Sequence, residues 1–167
     1  MSLFNRNAPV TDSNIRILHA VPTANPIDIY ANGNLIASNV SFGKLTKYSA
    51  LPAGNLYLFR LKDDNVPSTK IYTFLRFINL SPNSPLLSLS LPNNIELFNS
   101  VEYLETTGYY MLSSGIYNLQ VTIASDQSIT KYIKNISFYN GNFYTIYIIG
   151  LFNDTPQLGY LLTVDYQ

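Results

Sequence analysis

Ile15-Arg16-Ile17-Leu18-His19-Ala20-Val21-Pro22 and Leu75-Arg76-Phe77-Ile78-Asn79-Leu80-Ser81-Pro82 are one line of sequence written twice, 60 positions apart. Further along, the offset becomes 61. Val40-Ser41-Phe42 meets Val101-Glu102-Tyr103, Tyr48-Ser49-Ala50-Leu51 meets Tyr109-Tyr110-Met111-Leu112, and Gly54 meets Gly115. An Arg, a Pro, a Tyr and a Gly all stay in register, which marks an internal repeat.

The repeated lines read as strands. Tyr117, Leu119, Val121 and Ile123 alternate with Asn118, Gln120 and Thr122, the period of a half-buried strand. Phe143 to Leu151 is apolar on both faces and predicts a central strand. Asn32-Gly33 and Asn140-Gly141 favour positive φ, so both are expected to make tight hairpin turns. Pro52-Ala53-Gly54 and Ser113-Ser114-Gly115 mark a further matched pair of turns. No stretch carries a convincing helical period; Val101 to Thr107 is too short and too β-branched. Many short strands with regular turns predict an all-β sandwich or barrel.

The division expected is an N-terminal arm over 1–14, a shortened first unit over 15–69 and a second unit over 70–167. After Gly115 the chain continues through three more strands, whereas after Gly54 it has room for one strand and the polar loop Lys62-Asp63-Asp64-Asn65-Val66-Pro67. The first unit is too short to bury its own apolar faces. It is expected to share a core with the second, or at least to pack tightly against it.

Composition narrows the function. The chain has 167 residues, 47% apolar and 12% charged, against about 25% charged in ordinary soluble chains. Lys+Arg and Asp+Glu number 10 each. A neutral chain lacks the cation cluster that nucleic acid requires. It also lacks the net charge that keeps copies apart. There are 14 Tyr, a residue favoured where one end of a side chain is buried and the other wet. With no Cys there is no disulfide, thiolate nucleophile or Cys-based zinc site. The first residues hold no apolar run of signal-peptide length, and Ile146-Tyr147-Ile148-Ile149 is far too short to span a bilayer, so no membrane insertion is expected. Synthesis in the cytoplasm is expected, followed by retention, by export without a standard signal, or by loss of a leader.

Ile15–Pro22, followed by Ile27-Asp28-Ile29-Tyr30 and Asn32-Gly33, resembles a bacterial family, domain of unknown function 4397. So does Val40-Ser41-Phe42-Gly43 leading to Tyr48 and Leu51-Pro52-Ala53-Gly54. The first unit follows the family pattern except that Val21 stands where Ser is usual. In the second unit Asn79 replaces His, and Ser88-Leu89-Ser90 replaces the Asp-containing strand. The resemblance implies tandem immunoglobulin-like antiparallel β-sandwiches of secreted or surface proteins. It implies no activity, cofactor or catalytic residue.

The residues themselves point away from an enzyme. His19 is the one histidine, no Gly-x-Ser-x-Gly accompanies it, and a hydrogen-bonded structural role is expected. Asp28 lies mid-strand beside the strand of Arg16, so a structural Arg16–Asp28 pair is expected. Ser41-Phe-Gly-Lys44 and Ser128-Ile-Thr-Lys131 fit Ser-x-x-Lys but lack its helix and partner motifs. Glu96, Glu102 and Glu105 read as a solvated face rather than a glycosidase pair. Asp63-Asp64-Asn65 lacks the spacing of a calcium loop. The four Asn-x-Ser/Thr sequons are coincidences of an Asn- and Ser-rich chain. No catalytic residue, metal or cofactor is expected.

The arm carries Leu3, Phe4 and Val10 among polar residues. Such an arm can add to a neighbour's sheet, and head-to-tail contacts of that kind make open fibres. The leading expectation is a self-assembling structural protein of a bacterial cell or spore surface, a homo-oligomer or filament joined through Leu3, Phe4 and Val10. The alternative is a module binding carbohydrate or another surface ligand. Exposed Tyr suits that reading, although Trp is absent.

Overall fold

The computed structural model describes residues 13–31, 33–51 and 70–165. Among them every regular element is a strand, so the all-β expectation holds. Leu3, Phe4 and Val10 lie outside the described residues, as do Pro52-Ala53-Gly54 and Asp63-Asp64-Asn65. The chain divides into two compact units, 1–60 and 61–167.

In the first unit, β1 (Ser13–Ile15) pairs with β4 (Ser49–Leu51), and β2 (Ile27–Ala31) pairs with β3 (Asn34–Val40), both antiparallel. The start of β1 brings Ser13 and Asn14, assigned above to the arm, into the sheet.

The second unit is a sandwich of two four-stranded sheets. Its strands are β5 (Tyr72–Asn79), β6 (Leu87–Leu91), β7 (Ile95–Val101), β8 (Tyr110–Ser113), β9 (Gly115–Ile123), β10 (Ile129–Phe138), β11 (Phe143–Ile149) and β12 (Gly159–Asp165). One sheet runs β10-β9-β6-β7 and the other β12-β11-β5-β8. Neighbours are antiparallel except β11 and β5, which are parallel. The strand alternation turns Leu87, Leu89, Leu119, Val121 and Ile133 inward from one sheet and Leu75, Phe77, Ile146 and Ile148 from the other, all in one buried cluster. Each such side chain contributes roughly 1.5–3 kcal/mol by leaving water. The layering is consistent with an immunoglobulin-like sandwich.

β11 is buried along its whole length with β12 and β5 as neighbours, the central strand read from its sequence. The hairpin reading of Asn140-Gly141 is corrected. Gly141 does take positive φ (75°), but β10 hydrogen-bonds to β9, and both edges of β11 are filled by β12 and β5. The turn therefore carries the chain from one sheet to the other. Asn32-Gly33 joins two strands that do pair, with Gly33 at φ 80°. In the second unit the matching turn is Pro92-Asn93-Asn94, one residue longer, with Asn93 and Asn94 at φ 73° and 60°. That residue accounts for the step in offset from 60 to 61.

Candidate functional site

The densest polar cluster sits on the face of β5, β11 and β12 that turns away from the Leu75–Ile146 core. Arg76 and Thr145 are register partners across β5 and β11, and Thr145 and Thr163 across β11 and β12. Asp165 lies two residues beyond Thr163, hence on the same face. Arg76 Nε donates to Thr145 Oγ1 at 2.7 Å, and its terminal nitrogen lies 3.4 Å from Asp165 Oδ2. Thr145 Oγ1 and Tyr109 Oη (3.0 Å) donate to the same oxygen, and Thr163 Oγ1 donates to Oδ1 at 3.2 Å. The guanidinium stands over the Tyr109 ring, 4.8 Å from its centroid. Both charged side chains are almost wholly buried, 6% and 4% exposed. A buried ion pair persists only with further hydrogen bonds to its lone pairs and protons, and here Thr145, Tyr109 and Thr163 supply such bonds. Four side chains, Arg76, Thr145, Tyr109 and Thr163, thus converge on one buried carboxylate, three of them on Oδ2. The cluster ties β12 to β5 across β11.

Part of this arrangement recurs in the first unit. Arg16, the counterpart of Arg76, stands 4.9 Å from the ring centroid of Tyr48, the counterpart of Tyr109. Asp28 Oδ1 accepts the Asn39 N–H at 2.7 Å. The described contacts of Arg16 and Asp28 thus run to Tyr48 and Asn39 rather than to each other. Sequence reasoning missed Asp165 as the partner of Arg76 because it lies 89 residues away, past the end of the repeat.

His19 is buried, with Nε2 3.2 Å from the Asn25 carbonyl and Nδ1 accepting the Val21 N–H at 3.3 Å. An accepting Nδ1 leaves the proton on Nε2. Asn79 occupies the same place in the second unit. Its Oδ1 accepts the N–H two residues on, from Ser81, at 3.0 Å, and its Nδ2 donates to the Val101 carbonyl at 3.3 Å. The surrounding backbone bonds repeat as well. Gly43 N donates to His19 O and Leu104 N to Asn79 O; Thr46 N donates to Ile17 O and Thr107 N to Phe77 O. The Thr46 and Thr107 hydroxyls each accept, at 2.9 Å, the N–H of Ile17 and Phe77.

Asp28 and Ser88 form a third matched pair. Asp28 holds the N–H of Asn39 (φ 51°), and Ser88 Oγ accepts the N–H of Ser100 (φ 56°) at 3.2 Å. Each is a side chain on one strand latching a left-handed residue in the bulge of the next. Asn118 does the same for Asn135 (φ 58°) at 2.9 Å.

The remaining sequence candidates are placed singly. Glu105 accepts the Glu102 N–H at 2.8 Å in an exposed turn, and Glu96 lies apart on β7. Lys44 N donates to Ser41 O in a turn, while Ser128 precedes β10 and Lys131 lies on it. Neither Ser-x-x-Lys starts a helix. Among the described residues no group of three or more His, Cys, Asp or Glu is placed to hold a metal ion.

No curated protein matches the chain. Among solved structures it is similar to the C-terminal domain of AlgF from P. aeruginosa, at 18% identity and a TM-score of 0.45, over 57% of this chain and 100% of that one. The family described as Domain of unknown function (DUF4397) matches residues 13–73 and again residues 73–167. Two matches laid end to end over the repeat place this chain in the DUF4397 family, as a tandem member whose first copy is the shorter.

Proposed function

We propose that the protein is a non-catalytic structural module of a bacterial cell or spore surface that assembles with its own kind through the N-terminal arm. One observation carries the non-catalytic part. Positions with catalytic residue types in one unit hold different chemistry in the other while making the same bonds: His19 and Asn79, Asp28 and Ser88. Catalysis needs an imidazole or a carboxylate at such a place; holding a backbone N–H needs only an acceptor. Zero net charge and exposed apolar side chains such as Ile27, Tyr30 and Leu35 support the self-association part.

The test is sedimentation velocity and negative-stain imaging of the full chain beside a variant lacking residues 1–12, a deletion that stops short of β1. The full chain should form oligomers or fibres and the shortened chain a folded monomer. A full chain that stays monomeric at high concentration overturns the proposal.

A second reading, binding of a neutral polysaccharide, is favoured by one row of side chains. Glu96, Ser90, Gln120 and Tyr132 are register neighbours across β7, β6, β9 and β10. Ser90, buried, and the polar Gln120 lie at the centre, and Tyr132, 53% exposed, stands at the rim. Polysaccharide pull-down that is lost in Tyr132→Ala would select this reading.

A further inference from the structure

The charges of the second unit are divided between the two edges of one sheet. Outside the buried Arg76–Asp165 pair, its described cations are Lys70, Lys131 and Lys134, and the last two lie on β10. Its glutamates gather at β7: Glu96 is on the strand, Glu102 follows it directly, and Glu105 accepts the Glu102 N–H. β10 and β7 are the outer strands of the sheet β10-β9-β6-β7, each with one neighbour among the described residues. Exposed Ile129 and Tyr132 accompany the lysines, and exposed Ile95 accompanies Glu96.

Strand direction and register fit these two edges to each other. Every neighbouring pair in the sheet is antiparallel, so β10 and β7, three steps apart, run in opposite directions. A second copy set beside the first in the same orientation presents its β7 antiparallel to β10. The row Glu96, Ser90, Gln120 and Tyr132 runs straight across the sheet. Continued without a shift, it brings Glu96 of the second copy level with Tyr132, flanked by Lys131 and Lys134. Lys134 already stands 5.5 Å from the Tyr132 ring centroid, on the same face of β10. Pairing of like edges would set Lys against Lys or Glu against Glu, which charge repulsion disfavours.

We infer that β10 and β7 are the two halves of an edge-to-edge contact between copies of this chain, with Glu96 of one copy set against Lys131 and Lys134 of the next. The inference goes beyond the arm contact proposed above and rests on the second unit alone. The contact is head-to-tail, so it repeats and carries the sheet from copy to copy. Exposed ion pairs are individually weak, and bulges in both strands keep the ladder short, so the contact adds to that of the arm and does not replace it.

Carbodiimide coupling tests this on the unaltered chain, because it condenses a carboxylate and an amine already in contact into an amide. Within one molecule β7 and β10 lie three strand spacings apart, about 14 Å. Equal amounts of unlabelled and isotope-labelled chain are mixed, coupled and digested, and the linked peptides are identified by mass spectrometry. Mixed-label Glu96–Lys131 or Glu96–Lys134 peptides are expected in about tenfold excess over links from Asp126 or Asp154, acids in exposed turns away from β7. Molar salt should cut their yield several-fold. A yield that salt leaves unchanged, or mixed-label links spread evenly over Glu96, Asp126 and Asp154, would overturn the edge pairing. A chain that sediments as oligomers without a Glu96 link would overturn it and leave the arm contact standing. A Glu96 link that forms in Phe4→Asp, a full-length chain with its arm impaired, would support the edge pairing even where the arm contact fails.

Discussion

The guanidinium of Arg76 lies 4.8 Å from the ring centroid of Tyr109, and 60 residues earlier Arg16 lies 4.9 Å from that of Tyr48. The two contacts are the same element of the repeat in different surroundings. Arg76 is buried with Asp165, while Arg16 is half-buried. Removing Arg76 strands a buried carboxylate, so Arg76→Ala should cost about 3–5 kcal/mol. Arg16→Ala should cost about 1 kcal/mol, the range of a half-exposed cation–π contact. Urea unfolding of the two variants measures the difference; equal costs would refute this assignment of roles.

Arg76→Lys is expected to resemble the Ala variant more than the wild type. Lys keeps the charge but loses the Nε–H held by Thr145 and the flat group that rests on Tyr109. The readout is the midpoint of thermal unfolding. A midpoint within a degree or two of wild type would show that charge alone matters there.

At position 19 the second unit supplies the control. Asn79 performs the same N–H capture, so His19→Asn should change stability by less than about 1 kcal/mol. Asn79→Ala leaves the buried Ser81 N–H without its acceptor and should cost about 1–3 kcal/mol, whereas His19→Ala, which frees the N–H of the exposed Val21, should cost less. Denaturant titration ranks the three.

The bulge latches allow a similar exchange. Asp28→Ser should be tolerated because Ser88 does the same work, and Ser88→Ala should free the Ser100 N–H. Hydrogen exchange at residue 100 should rise about tenfold in Ser88→Ala, and at residue 39 should change little in Asp28→Ser.

Gly150 sits at φ 95°, and a Cβ there would collide with the Gln157 carbonyl oxygen. Gly150→Ala should cost about 1–3 kcal/mol and loosen the Leu151–Gln157 bridge between β11 and β12. Gly108, where an added Cβ meets nothing within 4 Å, is the matched control and should tolerate Ala to within about 1 kcal/mol.

How much of this was legible in the sequence depends on range. The alternation from Tyr117 to Ile123 and the apolar run from Phe143 announced their strands because side-chain period is local and covalent. The repeat was legible for the same reason, and with it the matching places of Arg16 and Arg76, and of His19 and Asn79. The Gly33 and Gly141 φ angles were legible too, since positive φ is a property of one residue. What Gly141 connects was not, because a tight turn looks the same whether its strands pair or part.

By itself, then, the sequence determined the all-β class, the tandem units and the shortness of the first. Only the tertiary structure decided that Arg76 meets Asp165 rather than a residue at the Asp28 position, that β11 lies parallel to β5, and that Ile27 is 40% exposed where Leu87 is wholly buried. The physical reason is that strand order and burial are set by contacts between segments far apart in the chain. Those contacts depend on which strands are present to cover a face, and a single strand's own pattern does not encode its neighbour.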